Sequence, residues 1–166
     1  TADANTAIGY LAANGNTTGT QNVALGWWAY KVATTGSYNT AVGTMAGVSQ
    51  TTGNRNALFG NSAGSGLTTG SDNTLLGYKA GNAITTADNN TAIGKESLYS
   101  NTTGAANVAI GRESLYSNTT AHANTAVGYI ALYANTTGAN NSALGSNALL
   151  GNTTGDQNTA VGHDAL

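Results

Sequence analysis

The chain repeats itself every 17 residues from one end to the other. Units begin at Asn5, Asn22, Asn39, Asn56, Asn73, Asn90, Asn107, Asn124, Asn141 and Asn158. Counted from that Asn as position 1, the unit reads N-[T/V]-A-[I/V/L]-G-x-x-[A/S]-x-x-x-x-T-T-G-x-x. Asn at position 1 and Gly at position 5 recur in all ten copies, and Thr-Thr at positions 13 and 14 in all nine complete ones. The likeness is plainest where KESLYSNTTG (95–104) returns as RESLYSNTT (112–120) and again as YIALYANTTG (129–138). A short fixed period means one structural unit stacked on itself, and it constrains the fold more than any local propensity.

Seventeen residues are too few for the helical repeats, which need about 33, and fewer than the roughly 20–29 of a leucine-rich repeat. Thr, Asn and Gly dominate each unit, with one aliphatic residue at a fixed place, which suits strand and turn rather than helix. The expectation is an all-β parallel β-solenoid of about ten coils, one repeat per coil, forming a single array over 1–166. With coils about 4.7–4.9 Å apart, ten make a rod roughly 45 Å long. A lone coil cannot fold. Ordering the backbone of 17 residues costs on the order of 17–34 kcal/mol, and one buried Ile or Val returns only about 1.5–3 kcal/mol. Stacking supplies the difference, because every coil then gains ladder hydrogen bonds and side-chain contacts on two sides.

Each column of equivalent positions carries its own expectation. Position 4 holds Ile8, Leu25, Val42, Phe59, Leu76, Ile93, Ile110, Val127, Leu144 and Val161, which reads as the core stripe. The ten Asn residues at position 1 read as a structural hydrogen-bonding ladder inside a turn. Gly at position 5 reads as a backbone angle that other residues avoid. Strand alternation sets position 3 opposite position 4. Because position 3 is Ala except at Leu58 and Leu75, something packs closely against it, either another part of the same coil or, the favoured expectation, a neighbouring chain. Position 8 is Ala or Ser throughout, while position 9 is Leu in the last five copies and Gly at Gly47, Gly64 and Gly81. Bringing positions 4, 8 and 9 all inside requires a bend near position 8.

The variable positions hold nearly all charges and aromatics. Lys95-Glu96 and Arg112-Glu113 occupy positions 6 and 7 of adjacent coils, where like charges stack and opposite charges meet diagonally on a solvated face. Trp27, Trp28, Tyr30, Tyr99, Tyr116 and Tyr133 are the candidate ligand or interface aromatics, able to stack on sugar rings or cover a seam between subunits. N-x-[S/T] triplets at Asn16, Asn89, Asn101, Asn118, Asn135, Asn140 and Asn152 are what an Asn/Thr repeat generates by composition, so glycan attachment is a minor expectation.

Other functions find little support. Charged residues are 7% of the chain, where roughly 25% is typical, and the net charge is -2. No electrostatic footprint for nucleic acid follows. No apolar stretch reaches the roughly 18 residues of a membrane span, so this segment is not expected to insert, and no signal peptide is visible. The two histidines, His122 and His163, stand in different columns, and the seven acids form no acid/base couple within a coil. The G-G-x-G-x-D calcium-roll pattern, phosphate loops and nucleophile motifs are missing. The expectation is therefore no enzyme, no metal site and no cofactor. With no cysteine, disulfides are excluded and the redox compartment is left open.

The phrases NTAIG (5–9, 90–94), NVAIG (107–111) and NTAVG (39–43, 124–128, 158–162) resemble the NSVAIG-type repeats of trimeric autotransporter adhesin heads, the YadA-like family. They are similar also to tail-fibre β-solenoid repeats. That resemblance implies a left-handed parallel β-roll, three chains side by side, and attachment to extracellular matrix or host surfaces. The motif here is one residue shorter, and the repeat is longer than the roughly fourteen residues of those heads, with an added T-T-G turn.

Residues 1–4, TADA, match positions 14 to 17 of a preceding unit, and the chain stops at position 9 of the last one. The expectation is a window of a longer array or a subunit stacking end to end. The function expected is an extracellular structural and adhesive fibre segment, located outside the cell, on its surface or in a virion fibre. It would be a homo-oligomer, either a trimer or an end-to-end filament, with a surface glycan or matrix component as ligand. Two alternatives stand beside it: an ice-binding solenoid presenting the Thr columns, and a carbohydrate-binding module using the aromatics.

Overall fold

The computed structural model describes residues 2–166 and is all-β. Thr1, the first residue of the TADA segment, lies outside the described residues. Ten three-residue strands appear, one per repeat: β1 (Thr6–Ile8), β2 (Val23–Leu25), β3 (Thr40–Val42), β4 (Ala57–Phe59), β5 (Thr74–Leu76), β6 (Thr91–Ile93), β7 (Val108–Ile110), β8 (Thr125–Val127), β9 (Ser142–Leu144) and β10 (Thr159–Val161). They form one parallel sheet in sequence order. Pairing is in register throughout, position 2 on 2 and 4 on 4, as where Thr91 faces Val108 and Ile93 faces Ile110. The parallel β-solenoid with one 17-residue repeat per coil is thereby shown.

The strands are only part of the ladder, because coil-to-coil hydrogen bonds continue through the turns. The N–H at position 7 donates to the position 6 carbonyl of the preceding coil, as in Glu113 to Lys95 (2.9 Å). At position 9 the direction reverses, as in Leu98 to Ser114 of the following coil (2.9 Å). Backbone groups that a three-residue strand would leave bare are thus satisfied along most of the circuit.

This circuit needs unusual backbone angles. Positions 7 and 9 in all ten coils, and position 17 in all nine complete ones, adopt φ between 48° and 62°, including bulky residues such as Trp28, Ile130 and Leu98. Gly at position 5 sits at φ 127–141°, a region essentially closed to other residues. A Cβ built on Gly43 would also lie 2.6 Å from the Gly60 carbonyl oxygen of the next coil. The left-handed pair at positions 7 and 9 is the bend that the sequence required near position 8.

The two faces of the strand are the reverse of those expected. Position 3 is the core: Ala24, Ala41, Leu58, Leu75, Ala92, Ala109, Ala126, Ala143 and Ala160 are buried within their own coils, not against a neighbouring chain. The expected core stripe lies outside. Ile8, Leu25, Phe59, Leu76, Leu144 and Val161 are exposed, by 38% at Phe59 and 69% at Val161, and Val42, Ile93, Ile110 and Val127 are half-buried. The physical reason is width. A 17-residue coil is narrow, and the space between the strand and the opposite turns is filled by positions 1, 3, 8, 9 and 12, leaving room for Ala opposite the turn and none for a row of Ile.

Core volume is traded between columns. Where position 3 is Leu, at Leu58 and Leu75, position 9 of the same coil is Gly (Gly64, Gly81) and position 12 is Leu67 or Ile84. Where position 3 is Ala92, Ala109, Ala126 or Ala143, position 9 is Leu98, Leu115, Leu132 or Leu149. A Cβ added at Gly47 would lie 2.6 Å from Leu58 Cδ1 of the next coil, so the exchange also runs between neighbouring coils. In the second and third coils, where position 3 is Ala24 or Ala41, the volume comes instead from Tyr30 at position 9 and Gln50 at position 12, as close packing at fixed volume requires.

Candidate functional site

In a repeat of this kind a site is a column, and each column is either committed to holding coils together or left free to meet something else. The Asn column at position 1 is committed. Its Oδ1 accepts the backbone N–H of the next Asn at every step, as from Asn39 to Asn22 (2.9 Å) and Asn73 to Asn56 (3.0 Å). Its Nδ2 reaches 14 residues ahead to close the same coil on the position 15 carbonyl, as Asn56 does on Gly70 (2.9 Å). From Asn22 to Asn141 these side chains are buried.

A second Asn ladder, which the repeat pattern alone does not announce, runs at position 12. Asn118 donates to Asn101 (2.9 Å), Asn135 to Asn118 (3.1 Å) and Asn152 to Asn135 (3.1 Å), each also holding a position 15 carbonyl. Asn101, Asn118 and Asn135 are fully buried, so their N-T-T triplets are closed to glycan attachment in the folded chain. In the second and third coils, Ala33 and Gln50 take this place. There buried Tyr30 accepts a bond from Asn39 (2.7 Å), and Gln50 donates to Asn39 Oδ1 (2.9 Å). Burial pushes the Tyr30 phenol up to about 12, against the opposing pull of the Asn39 bond.

The two Thr columns differ. At position 13 the hydroxyl donates to the carbonyl of the next position 13, as Thr17 does to Thr34 (2.8 Å) and Thr102 to Thr119 (3.1 Å). That column is spent on coil-to-coil contacts. At position 14 all nine threonines, from Thr18 to Thr154, are exposed, and among the described residues none of their side chains takes part in a hydrogen bond.

The candidate aromatics separate in the same way. Tyr30 is fully buried and meets no ligand. Tyr99, Tyr116 and Tyr133 stack face to face, with centroids 5.0 and 5.1 Å apart and planes within 11° of parallel. Their ring faces are used on one another, which raises the Tyr116 phenol mainly through desolvation and leaves little face for a sugar. Trp28 lies between Trp27, stacked at 4.2 Å, and the Lys31 ammonium, 3.6 Å from its ring centroid. Trp27 keeps 43% of its surface exposed. Of the exposed aromatics missed in the sequence, Tyr10, Tyr78 and Tyr129 stand at position 6 with Trp27, and Tyr38 stands at position 17. A column that also holds Lys, Arg, Ser and Thr gave no periodic signal to find them by.

The charged pairs of positions 6 and 7 meet within a coil rather than diagonally. Lys95 lies 3.5 Å from Glu96, and Arg112 lies 2.9 Å from Glu113. The left-handed residue at position 7 turns each Glu beside its neighbour. Between coils, Arg55 grips Asp72 with two bonds of 2.6 and 2.8 Å, holding that carboxyl below its usual range. Among the described residues no group of three metal-ligating side chains gathers, no pocket opens, and no helix is long and apolar enough to cross a membrane.

What remains free is a set of surfaces rather than a cavity. These are the uncharged strand face of positions 2 and 4, the Thr row of position 14 and the mixed column of position 6. No family model, curated protein or solved structure matches this chain.

Proposed function

We propose that this chain is a segment of an extracellular structural fibre, a rigid rod that associates side by side with copies of itself and carries groups for surface attachment. The observation that carries it is the outward strand face. Positions 2 and 4 of ten in-register strands hold Thr, Val, Ser, Ala, Ile, Leu and Phe, and no charge at all. A continuous exposed patch of this kind, its position 4 aliphatics edged by polar residues, is the sort that marks an interaction site. A second copy presents the same uncharged stripe with the same coil spacing, so the two match rung for rung.

Area sets the strength. A face about 45 Å long and about 10 Å wide offers roughly 450 Å² per chain, near half of the roughly 800 Å² per partner in a standard interface. One rod of this length is expected to associate weakly, and longer arrays more tightly. Sedimentation equilibrium tests this. The native chain should self-associate with rising concentration, and Leu76→Asp with Leu144→Asp, both at exposed sites, should stay monomeric with an unchanged circular dichroism spectrum. A native chain that stays monomeric at millimolar concentration refutes the reading.

One observation favours a second reading, an ice-binding surface. Position 14 is Thr in every complete repeat, yet among the described residues its side chain joins no coil to another. It offers one row of hydroxyls, while the Thr column at position 13 bonds from coil to coil. Thermal hysteresis lost on replacing the row by Ser or Val would support that reading, and its absence in the native chain would remove it.

A further inference from the structure

Three of the chain's five cationic side chains gather on consecutive coils: Lys79 at position 7, then Lys95 and Arg112 at position 6. The position 6 column here runs Tyr78, Lys95, Arg112, Tyr129. Three backbone bonds fix these as successive rungs, from Glu96 to Tyr78 (2.9 Å), Glu113 to Lys95 (2.9 Å) and Ile130 to Arg112 (3.0 Å). All four side chains project to solvent. Tyr78 and Tyr129 are 44% and 47% exposed, and the Lys95 and Arg112 side chains are 50% and 54% exposed. Their partner carboxylates, Glu96 and Glu113, are the more covered members at 20% and 17%, so the outer layer is cationic. The Lys79 ammonium lies 5.3 Å from the Tyr78 ring centroid, and the Arg112 guanidinium 5.7 Å from that of Tyr129, which holds each ring in place.

We infer that this row is a binding site for an extended anionic polysaccharide, a linear β-1,4-linked polyuronate. Two cations one coil apart, about 4.7–4.9 Å, sit on long flexible stems and can meet the carboxylates of two successive sugars from opposite edges of such a strand, because the β-1,4 linkage turns each sugar over relative to the last. The tyrosines, three coils or about 14–15 Å apart, flank the cations and offer ring surface on which sugar C–H faces stack. An acidic peptide would use the cations and gain nothing regular from the rings. The row lies beyond the Gly at position 5, off the strand face assigned to self-association.

The site deepens the attachment half of the proposed function, and its test is run on the non-associating Leu76→Asp/Leu144→Asp chain so that failure of one is not failure of the other. Retardation in affinity gels containing polymannuronate, cello-oligosaccharide or polyglutamate reads it directly. Polymannuronate should retard the chain, and less so as salt rises. Lys95→Gln with Arg112→Gln, which removes two charged hydrogen-bond donors, should weaken retention at least about tenfold. Tyr78→Ala with Tyr129→Ala should also weaken it, with both variants retaining the native dichroism. No retardation by polymannuronate, equal retardation by the neutral glycan, or retention by polyglutamate that matches it and ignores the tyrosine changes would each overturn the assignment.

Discussion

At the scale of single residues, the chain is held by buried amides that each serve two coils. Removing Asn56 would orphan the Asn73 N–H above it and the Gly70 carbonyl across the coil, which no other side chain meets. At about 1–3 kcal/mol per buried unsatisfied group, Asn56→Ala should cost about 2–6 kcal/mol. Thr69→Ala, at an exposed position of the same coil, should stay within about 0.5 kcal/mol, and the two denaturant midpoints compare them. Tyr30 adds a pH dependence. Its folded phenol keeps the proton to about 12, while the ordinary value is 10.0. The folded state therefore binds more protons across that interval, so stability is full below pH 10 and falls as pH rises towards 12. The loss is about 2–3 kcal/mol, and Tyr30→Phe should flatten the alkaline limb of a stability–pH curve.

At the scale of the coil, packing is a matter of complementary volumes, and it can be tested as a cycle. Leu58→Ala opens a hole worth about 2–5 kcal/mol. Gly47→Ala forces a methyl group to within 2.6 Å of Leu58 Cδ1. Together each relieves the other, so the double variant should be more stable than the sum of the singles by about 0.5–3 kcal/mol. A strictly additive result would mean that the exchange of Leu and Gly between columns is accidental. This is also the scale at which the sequence misleads. The 17-residue period is legible because register stacking forces equivalent residues over one another. Which strand face turns inward is not, because hydrophobicity favours Ile93 over Ala92 while the narrow coil favours Ala92. An exposed aliphatic residue is common and says little, whereas a column held at Ala reports confinement. The second Asn ladder is hidden for a related reason: position 12 also holds Ala33, Gln50, Leu67 and Ile84, and the N-T-T triplets look like mere composition. The bend at positions 7 to 9 depends on φ values that Trp28 or Leu98 would not choose alone, so only the ladder around them fixes it.

For the whole molecule, neighbour-only contacts make the coil the natural unit of change. Every strand pairs solely with the one before and the one after, so stability is close to a sum over coils and their interfaces. Deleting residues 107–123 removes one full coil and joins Ala106 to Asn124, position 17 to position 1, as at every other junction. The Asn124 N–H then meets Asn90 in place of Asn107, and Leu98 inherits the Ala131 carbonyl from Leu115 in place of Ser114. The shortened chain should fold with the same dichroism, and its denaturant m value should fall by roughly a tenth, since exposed surface scales with the ten coils. Deleting 106–123 instead, one residue more, would bring Ala105 of position 16 against Asn124, shift every column below the junction and set polar positions against the core. That chain should split into two weakly joined blocks or fail to fold. Equal stability of the two deletions would show that register is not what holds the rod, and a rod without register would have neither the continuous strand face nor the evenly spaced row of Tyr78, Lys95, Arg112 and Tyr129 from which its proposed functions follow.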